Sequence, residues 1–175
     1  MAAHRLADPA GLDDLFLYRL TRLLAVGGAP VIRLCEGRFG ITRREWRLIA
    51  VLVEDGPLLS SELASRAHLE RGPTSKTVSL LVAKGLVRRT PRPQDRRLVD
   101  VAITEEGRAI YAALFPLVAK LNRELLGALG AAEVTQLDAM LTRLQQQAEA
   151  WLAAADLPKA DRQHRGRVRR AVGDD

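Results

Sequence analysis

Five arginines fall between Arg88 and Arg97, in the run RRTPRPQDRR. Guanidinium groups at that density suit one chemistry above others, the multidentate recognition of phosphate or carboxylate oxygens by a planar, permanent charge. Nothing comparable points to bond-making. The three histidines, His4, His68 and His164, are widely scattered. No glycine-rich loop follows a strand and no His or Cys pair has metal-ligand spacing, so no catalytic residue, cofactor or metal is expected, and an enzyme is not. Cys35 is the only cysteine, which excludes an intrachain disulfide and a multi-thiolate metal site and fits a reducing cytoplasm.

The charge balance agrees with a polyanionic partner. Lys and Arg number 27 against 21 Asp and Glu, for a formal charge of +6. The excess is local: residues 60–110 carry ten basic against six acidic side chains, and the tail from Lys159 carries six against three. Residues 111–158 run the other way, with three against five. One face meeting nucleic acid, and another meeting solvent or a partner subunit, would give this distribution. The longest aliphatic run, LIAVLV from Leu48 to Val53, is far short of the roughly 20 residues that span a bilayer. The start, MAAHRLADPAGLDDL, lacks the apolar stretch of a secretory signal. A cytoplasmic protein without membrane contact is expected.

These arginines need elements to hold them. Leu12, Leu15, Phe16, Leu20, Leu23 and Leu24 recur at helical spacing, which predicts a long amphipathic helix over about 12–36, bent at Gly27, Gly28 and Pro30. Thr42 and Glu45 are spaced as a capping box and open a second helix with Trp46, Ile49, Leu52 and Val53 inward. SSELASRAH reads as a short third helix and LERGP as a turn. PTSKTVSLLVAKG is a fourth, with Thr74, Val78, Leu81 and Val82 on one side, Ser75, Lys76 and Ser79 on the other, and Gly85 at its end. The period then changes. LVRRTPR and LVDVAIT flank PQDR as a two-stranded hairpin with a proline-stiffened tip. A helix follows from Thr104, interrupted by Pro116, and a last one covers about 131–155. The polar tail after Pro158 is expected to be disordered.

Two short helices around a tight turn, followed by a hairpin, form a winged helix-turn-helix order, in which the second short helix enters the major groove and the hairpin crosses the neighbouring minor groove. Arg96 and Arg97 at the tip suit a narrow minor groove, where negative potential is concentrated. Asp95 is assigned to positioning the wing. Arg71 and Arg88, at element ends, suit phosphate contacts. Thr74, Ser75, Lys76 and Ser79 complete the expected DNA-binding set, with Thr74 able to face inward instead.

The stretch ELASRAHLERGPTSKTVSLLVAKGLVRRTPRPQDRRLVDVAITEEGR resembles the core of the MarR transcription regulators. The ordered set carries the likeness: LA in the third helix, Ser75 and Lys76 before Val78, KGLV, DRR in the wing and ITEEGR. Pro73 stands where the family often has threonine, and Val82 where it often has glutamate. The resemblance implies a mainly α fold, a winged helix-turn-helix with a small β-hairpin wing and N- and C-terminal dimerisation helices. It implies a homodimer on a pseudo-palindromic double-stranded operator, usually repressing and often released by a small phenolic or aromatic acid. Two-fold symmetry independently doubles the few base pairs that one recognition helix covers. The expected layout is a dimerisation helix at 1–40, the winged region at 41–104, C-terminal dimerisation helices at 105–157 and a basic tail at 158–175.

Arg19 interrupts an apolar stripe, where a buried charge requires a partner, and a ligand carboxylate, an internal acid or snorkelling would each serve. Arg43, Trp46 and His68 join it as candidate effector contacts, with Trp46 also a natural core residue and His68 a natural capping residue. A hydroxybenzoate or hydroxynicotinate is the expected class of effector. Cys35 offers a peroxide-sensing alternative, although a buried, inert thiol fits its place late in a helix better. A constitutive architectural or RNA-binding protein, nearly indifferent to sequence, is the remaining alternative; few aromatics, at 4 %, weigh against single-strand stacking surfaces.

Overall fold

In the computed structural model, residues 5–92, 94–95 and 97–154 are described. A 3₁₀ turn, Leu12–Asp14, precedes α1 (Phe16–Gly27), α2 (Ala29–Phe39), α3 (Arg43–Asp55), β1 (Leu58–Leu59), α4 (Ser60–Arg66), α5 (Arg71–Ala83), β2 (Val87–Pro91), β3 (Val99–Ile103), α6 (Glu105–Leu126) and α7 (Ala131–Ala154). The fold is mostly helical with a small antiparallel sheet, as expected. The chain forms two compact units that divide between Ala128 and Leu129, so α1 and α2 belong to the same unit as the winged region and α6.

The single long helix expected over 12–36 is in fact two. Gly28 separates α1 from α2, and Pro30 lies in the first turn of α2, where its missing N–H leaves no bond unmade. Pro116, by contrast, lies within α6, which continues to Leu126. Gly40, at φ 62°, ends α2, and Thr42 starts α3. The Thr42 hydroxyl accepts from the Glu45 N–H (3.1 Å) and the Glu45 carboxylate accepts from the Thr42 N–H (2.6 Å), the reciprocal arrangement that satisfies two orphan donors.

One core organises the first unit. Leu48, Ile49 and Leu52 of α3, Leu63 of α4, Val78 and Leu81 of α5, Val87 and Val101 of the sheet and Leu114 of α6 are all essentially inaccessible and form one cluster with Cys35. These are the apolar positions at spacings of three and four, so the 3.6-residue period places a contiguous stripe on each helix. The sheet order is β1-β3-β2, with Leu58 opposite Val101 and Val87 opposite Ile103. The third strand, β1, was not anticipated, because two residues are too short to show an alternation. Gly107 allows the first turn of α6 to press on the hairpin: a Cβ there would collide with the Leu86 carbonyl and the Ile103 side chain.

α7, in the second unit, buries none of its residues. Met140, Leu141, Leu144, Trp151 and Leu152 are all exposed. The expected disorder of the tail, and the structure at His4 and His164, lie outside the described residues.

Candidate nucleic-acid interface and the cavity behind it

α4 and α5 are joined by a tight turn in which the His68 N–H donates to the Ser65 carbonyl (3.0 Å) and the Leu69 N–H to the Ala64 carbonyl (2.8 Å). His68 is exposed and left-handed, with φ 49°, a conformation in which histidine is enriched among non-glycine residues. His68 is thus a turn residue, remote in sequence and fold from the cavity described below.

α5 has two sharply different sides. Thr74, Thr77, Val78 and Leu81 are buried, whereas Arg71, Ser75, Lys76, Ser79 and Leu80 are exposed. Thr74 therefore leaves the set of expected DNA contacts. It is fully inaccessible, and its hydroxyl donates to the Glu70 carbonyl at 2.7 Å. Leu80, 58 % exposed on the polar side, was not singled out from the sequence; an apolar side chain here suits a thymine methyl.

The wing assigns different duties to its arginines. Arg92 is engaged by acids: its Nε lies 2.9 Å from both Asp100 oxygens and its Nη2 3.5 Å from a Glu62 oxygen. The Asp100 bond, more than the Asp100 charge, raises the Arg92 pKa above its ordinary value. That guanidinium ties the wing to α4. Asp95 accepts the Arg97 N–H at 2.9 Å, and the Leu98 N–H donates to the Asp95 carbonyl at 3.0 Å. The aspartate thus shapes the tip through these backbone bonds, and Arg97 is exposed. Arg96, expected beside it, lies outside the described residues.

Arg88 is exposed on β2, with a long contact of 3.5 Å to the Ile103 carbonyl. Its neighbour Arg89, passed over in the sequence, reaches back to the recognition helix and donates to the Ser79 Oγ at 2.9 Å. The Ser79 hydroxyl in turn donates to the Ser75 carbonyl at 3.2 Å. The alternation of β2, with Val87 buried, could have flagged Arg89 as the member of the pair on the Val87 side of the strand.

A cavity of about 480 Å³ is formed by α1, α2, α6 and the first residue of α3. Its wall is chiefly Leu20, Leu24, Val31, Val118 and Leu121, and its polar groups are Arg43 and Asn122. Of the four residues expected near an effector, only Arg43 lines it. Arg19 is exposed and borders a separate depression with Arg5, Asp13 and Arg22. Trp46 is buried in the core, stacked on Tyr111 with ring centroids 5.4 Å apart, and Tyr111 stacks in turn on Phe115. Asn122 went unnoticed because it adjoins the apolar positions Leu121 and Leu125 of a helix read only for its stripe.

Cys35 is inaccessible. Burial pushes its thiol pKa up, the Glu36 charge adds to that, and Arg43 offsets it only in part. A thiol held protonated is a poor nucleophile. Among the described residues, no cluster of His, Cys, Asp and Glu is placed to hold a metal ion and no helix is long and apolar enough to cross a membrane.

Comparison with known proteins places this architecture. The MarR family model matches residues 39–98. The repressor NicR of Pseudomonas putida is 30 % identical over 93 residues, covering 53 % of this chain, and the chain spans only 59 % of NicR. The homoprotocatechuate degradative operon repressor of Escherichia coli is 26 % identical over 112 residues, covering 64 % of this chain and 73 % of that protein. The repressor IacR of Pseudomonas putida is 30 % identical over 142 residues, covering 79 % of this chain and 84 % of IacR. A probable transcriptional regulator from Pseudomonas aeruginosa superposes with a TM-score of 0.69 at 27 % identity, covering 77 % of this chain and 99 % of that one. These proteins are transcription regulators by name. The chain belongs to the MarR family of winged helix-turn-helix, DNA-binding transcription regulators.

Proposed function

We propose that this protein is a cytoplasmic repressor that binds a pseudo-palindromic operator as a homodimer and releases it when a small aromatic carboxylate enters the cavity bordered by Arg43. The observation that carries the reading is the two-sided recognition helix, with Arg71, Ser75, Lys76 and Ser79 exposed beside an exposed Arg97 on the wing. Helix and wing offer hydroxyl, ammonium and guanidinium donors to base edges and phosphates, the mixture that direct readout and backbone positioning require. The dimer is supported by the uncovered apolar side chains of α1 and α7, since contiguous exposed apolar surface marks interaction sites.

The effector class rests on the cavity. A volume of about 480 Å³ lies within the range for small-ligand sites, which are mostly apolar with a few convergent polar groups. Leucine and valine walls suit an aromatic ring, and the Arg43 guanidinium suits a carboxylate. One relative represses a homoprotocatechuate degradative operon; homoprotocatechuate is an aromatic carboxylate of this size. Burial of Cys35 and the upward push that burial gives its thiol pKa weigh against it as a competing trigger.

The test is a selection from random-sequence duplexes, followed by fluorescence anisotropy on the selected duplex. A two-fold symmetric site with half-sites about one helical turn apart, resisting competition by unrelated duplex and released by homoprotocatechuate, a hydroxybenzoate or a hydroxynicotinate, is the expected result. Equal competition by unrelated duplex would establish the architectural reading instead.

A further inference from the structure

The ion pair between buried Glu45 and exposed Lys84 has a place in the fold that packing alone does not explain. Glu45 is only 1 % exposed, and a carboxylate in such a site must be compensated. The compensating charge comes from the far end of the recognition helix. Lys84 caps the C-terminus of α5, and its Nζ lies 2.9 Å from both Glu45 oxygens and 2.9 Å from the Gly40 carbonyl. One ammonium thus holds the first residue of the α2–α3 joint, the first turn of α3 and the end of α5.

The other side of that first turn faces the cavity. Arg43 is the first residue of α3 and lines the cavity. Its Nη1 lies so close over Gly28, at the break between α1 and α2, that a Cβ there would come within 2.9 Å of it. Arg43 and Glu45 are two residues apart in one helical turn, so a movement that draws the Arg43 backbone toward the cavity also moves Glu45. Leu48 and Ile49 of α3 and Val78 and Leu81 of α5 belong to one apolar cluster. Such contacts have no preferred direction and tolerate small sliding, whereas a charge-assisted ammonium bonded to Glu45 Oε2 and to the Gly40 carbonyl fixes where α5 ends relative to α3.

We propose that the Glu45–Lys84 pair is the coupling element of this regulator, transmitting occupancy of the cavity from Arg43 through the first turn of α3 to the recognition helix. The effector-driven part rests on the reading of the cavity as an effector site; the mechanical link from Arg43 to α5 does not. Lys84 is accordingly a positioning residue for DNA binding and makes no contact with DNA itself.

The test is a cycle in the full-length protein. Glu45→Gln with Lys84→Met cuts the link while leaving no orphan charge, and glutamine keeps the capping box with Thr42. Amide hydrogen exchange along α5 is the first readout, needing neither DNA nor effector. Arg43→Ala is expected to change α5 exchange by about fivefold or more in the native background, the lower end of a coupling free energy. In the Glu45→Gln/Lys84→Met background it should change by less than about twofold, the margin for independent sites. Equal changes in both backgrounds would overturn the link. The second readout is the ratio of selected-duplex Kd with and without saturating homoprotocatechuate, which should fall to near one in the double variant while calorimetric binding of homoprotocatechuate persists. A ratio retained in full would also overturn the proposal. Absence of homoprotocatechuate binding to the native protein would count against that effector, and the exchange cycle would still decide the link. Should the double variant fail to fold, Glu45→Gln alone must lower the Arg43→Ala effect on α5; an undiminished effect refutes the coupling.

Discussion

α5 and α7 are both amphipathic by spacing, yet they end in opposite conditions. α5 hides Thr74, Thr77, Val78 and Leu81 against α3, α4 and the sheet and shows donors to solvent. α7 hides nothing and leaves Leu141, Leu144 and Trp151 uncovered. The hydrophobic effect makes no distinction between the two stripes. What differs is that α5 has its cover within its own compact unit, whereas the 24-residue α7 buries no residue, although most helical stability in proteins comes from packing an apolar face. A stripe thus tells that a surface will be covered, and the fold tells whether this chain does the covering.

The largest expected effect attacks the uncovered stripe. Leu141→Asp together with Leu144→Asp should dissociate the proposed homodimer and, by removing one half-site from each complex, lower affinity for the selected duplex on the order of a thousandfold, the least separation usual between specific and non-specific binding. Sedimentation and anisotropy on the same samples check it. A monomer that still binds tightly would show that α7 is not what doubles the contact.

The matching change on the covered side is Leu48→Ala. Leu48 is fully inaccessible in the core, so truncation should cost about 2–5 kcal/mol of stability by thermal or denaturant unfolding. If the comparison holds, the aspartates on α7 break assembly without softening the first unit, while Leu48→Ala softens the unit and affects DNA binding only through its folded fraction. Between these lies Arg97→Ala, expected to weaken duplex binding by about 1–3 kcal/mol and leave both dimer and melting temperature alone. An unchanged Kd would remove the wing tip from recognition.

How far the sequence revealed all this depended on whether a residue's role is set by its near neighbours. The capping box of Thr42 and Glu45, the helix-opening Thr104 and the glycine stop at 85 were legible because their partners lie within a few residues. Ser75, Lys76 and Ser79 were correctly separated from Val78 and Leu81 by period alone. Thr74 was ambiguous, since a small hydroxyl residue can bond to its own helix and be buried, as it does here with Glu70. The long-range partners were not legible. Nothing local shows that Arg92 meets Asp100 and Glu62, that Arg89 reaches Ser79, or that Lys84 crosses 39 positions to Glu45. Arg19 looked internal because it interrupts leucines, yet α1 exposes several of those leucines too, so the apolar interior supposed around it is absent from the unit.

The smallest effect concerns a polar tie within the covered region. Arg66 donates to Asp55 through Nε (2.6 Å) and Nη2 (2.8 Å), joining the end of α3 to the end of α4. That bidentate bond, ahead of the Arg66 charge, holds the Asp55 carboxyl below its ordinary value of 3.8. A carboxylate whose folded pKa is depressed stabilises the protein at pH above its unfolded value, and the contribution drains as pH falls through the lowered folded value. Asp55→Asn should therefore lower the melting temperature slightly at pH 7, and the gap to the native protein should narrow below pH 3.8 and close once Asp55 is protonated in both states. Melting curves from pH 7 down to pH 2 check this; a gap that stays constant with pH would mean that the bond's charge contributes nothing to holding α3 against α4.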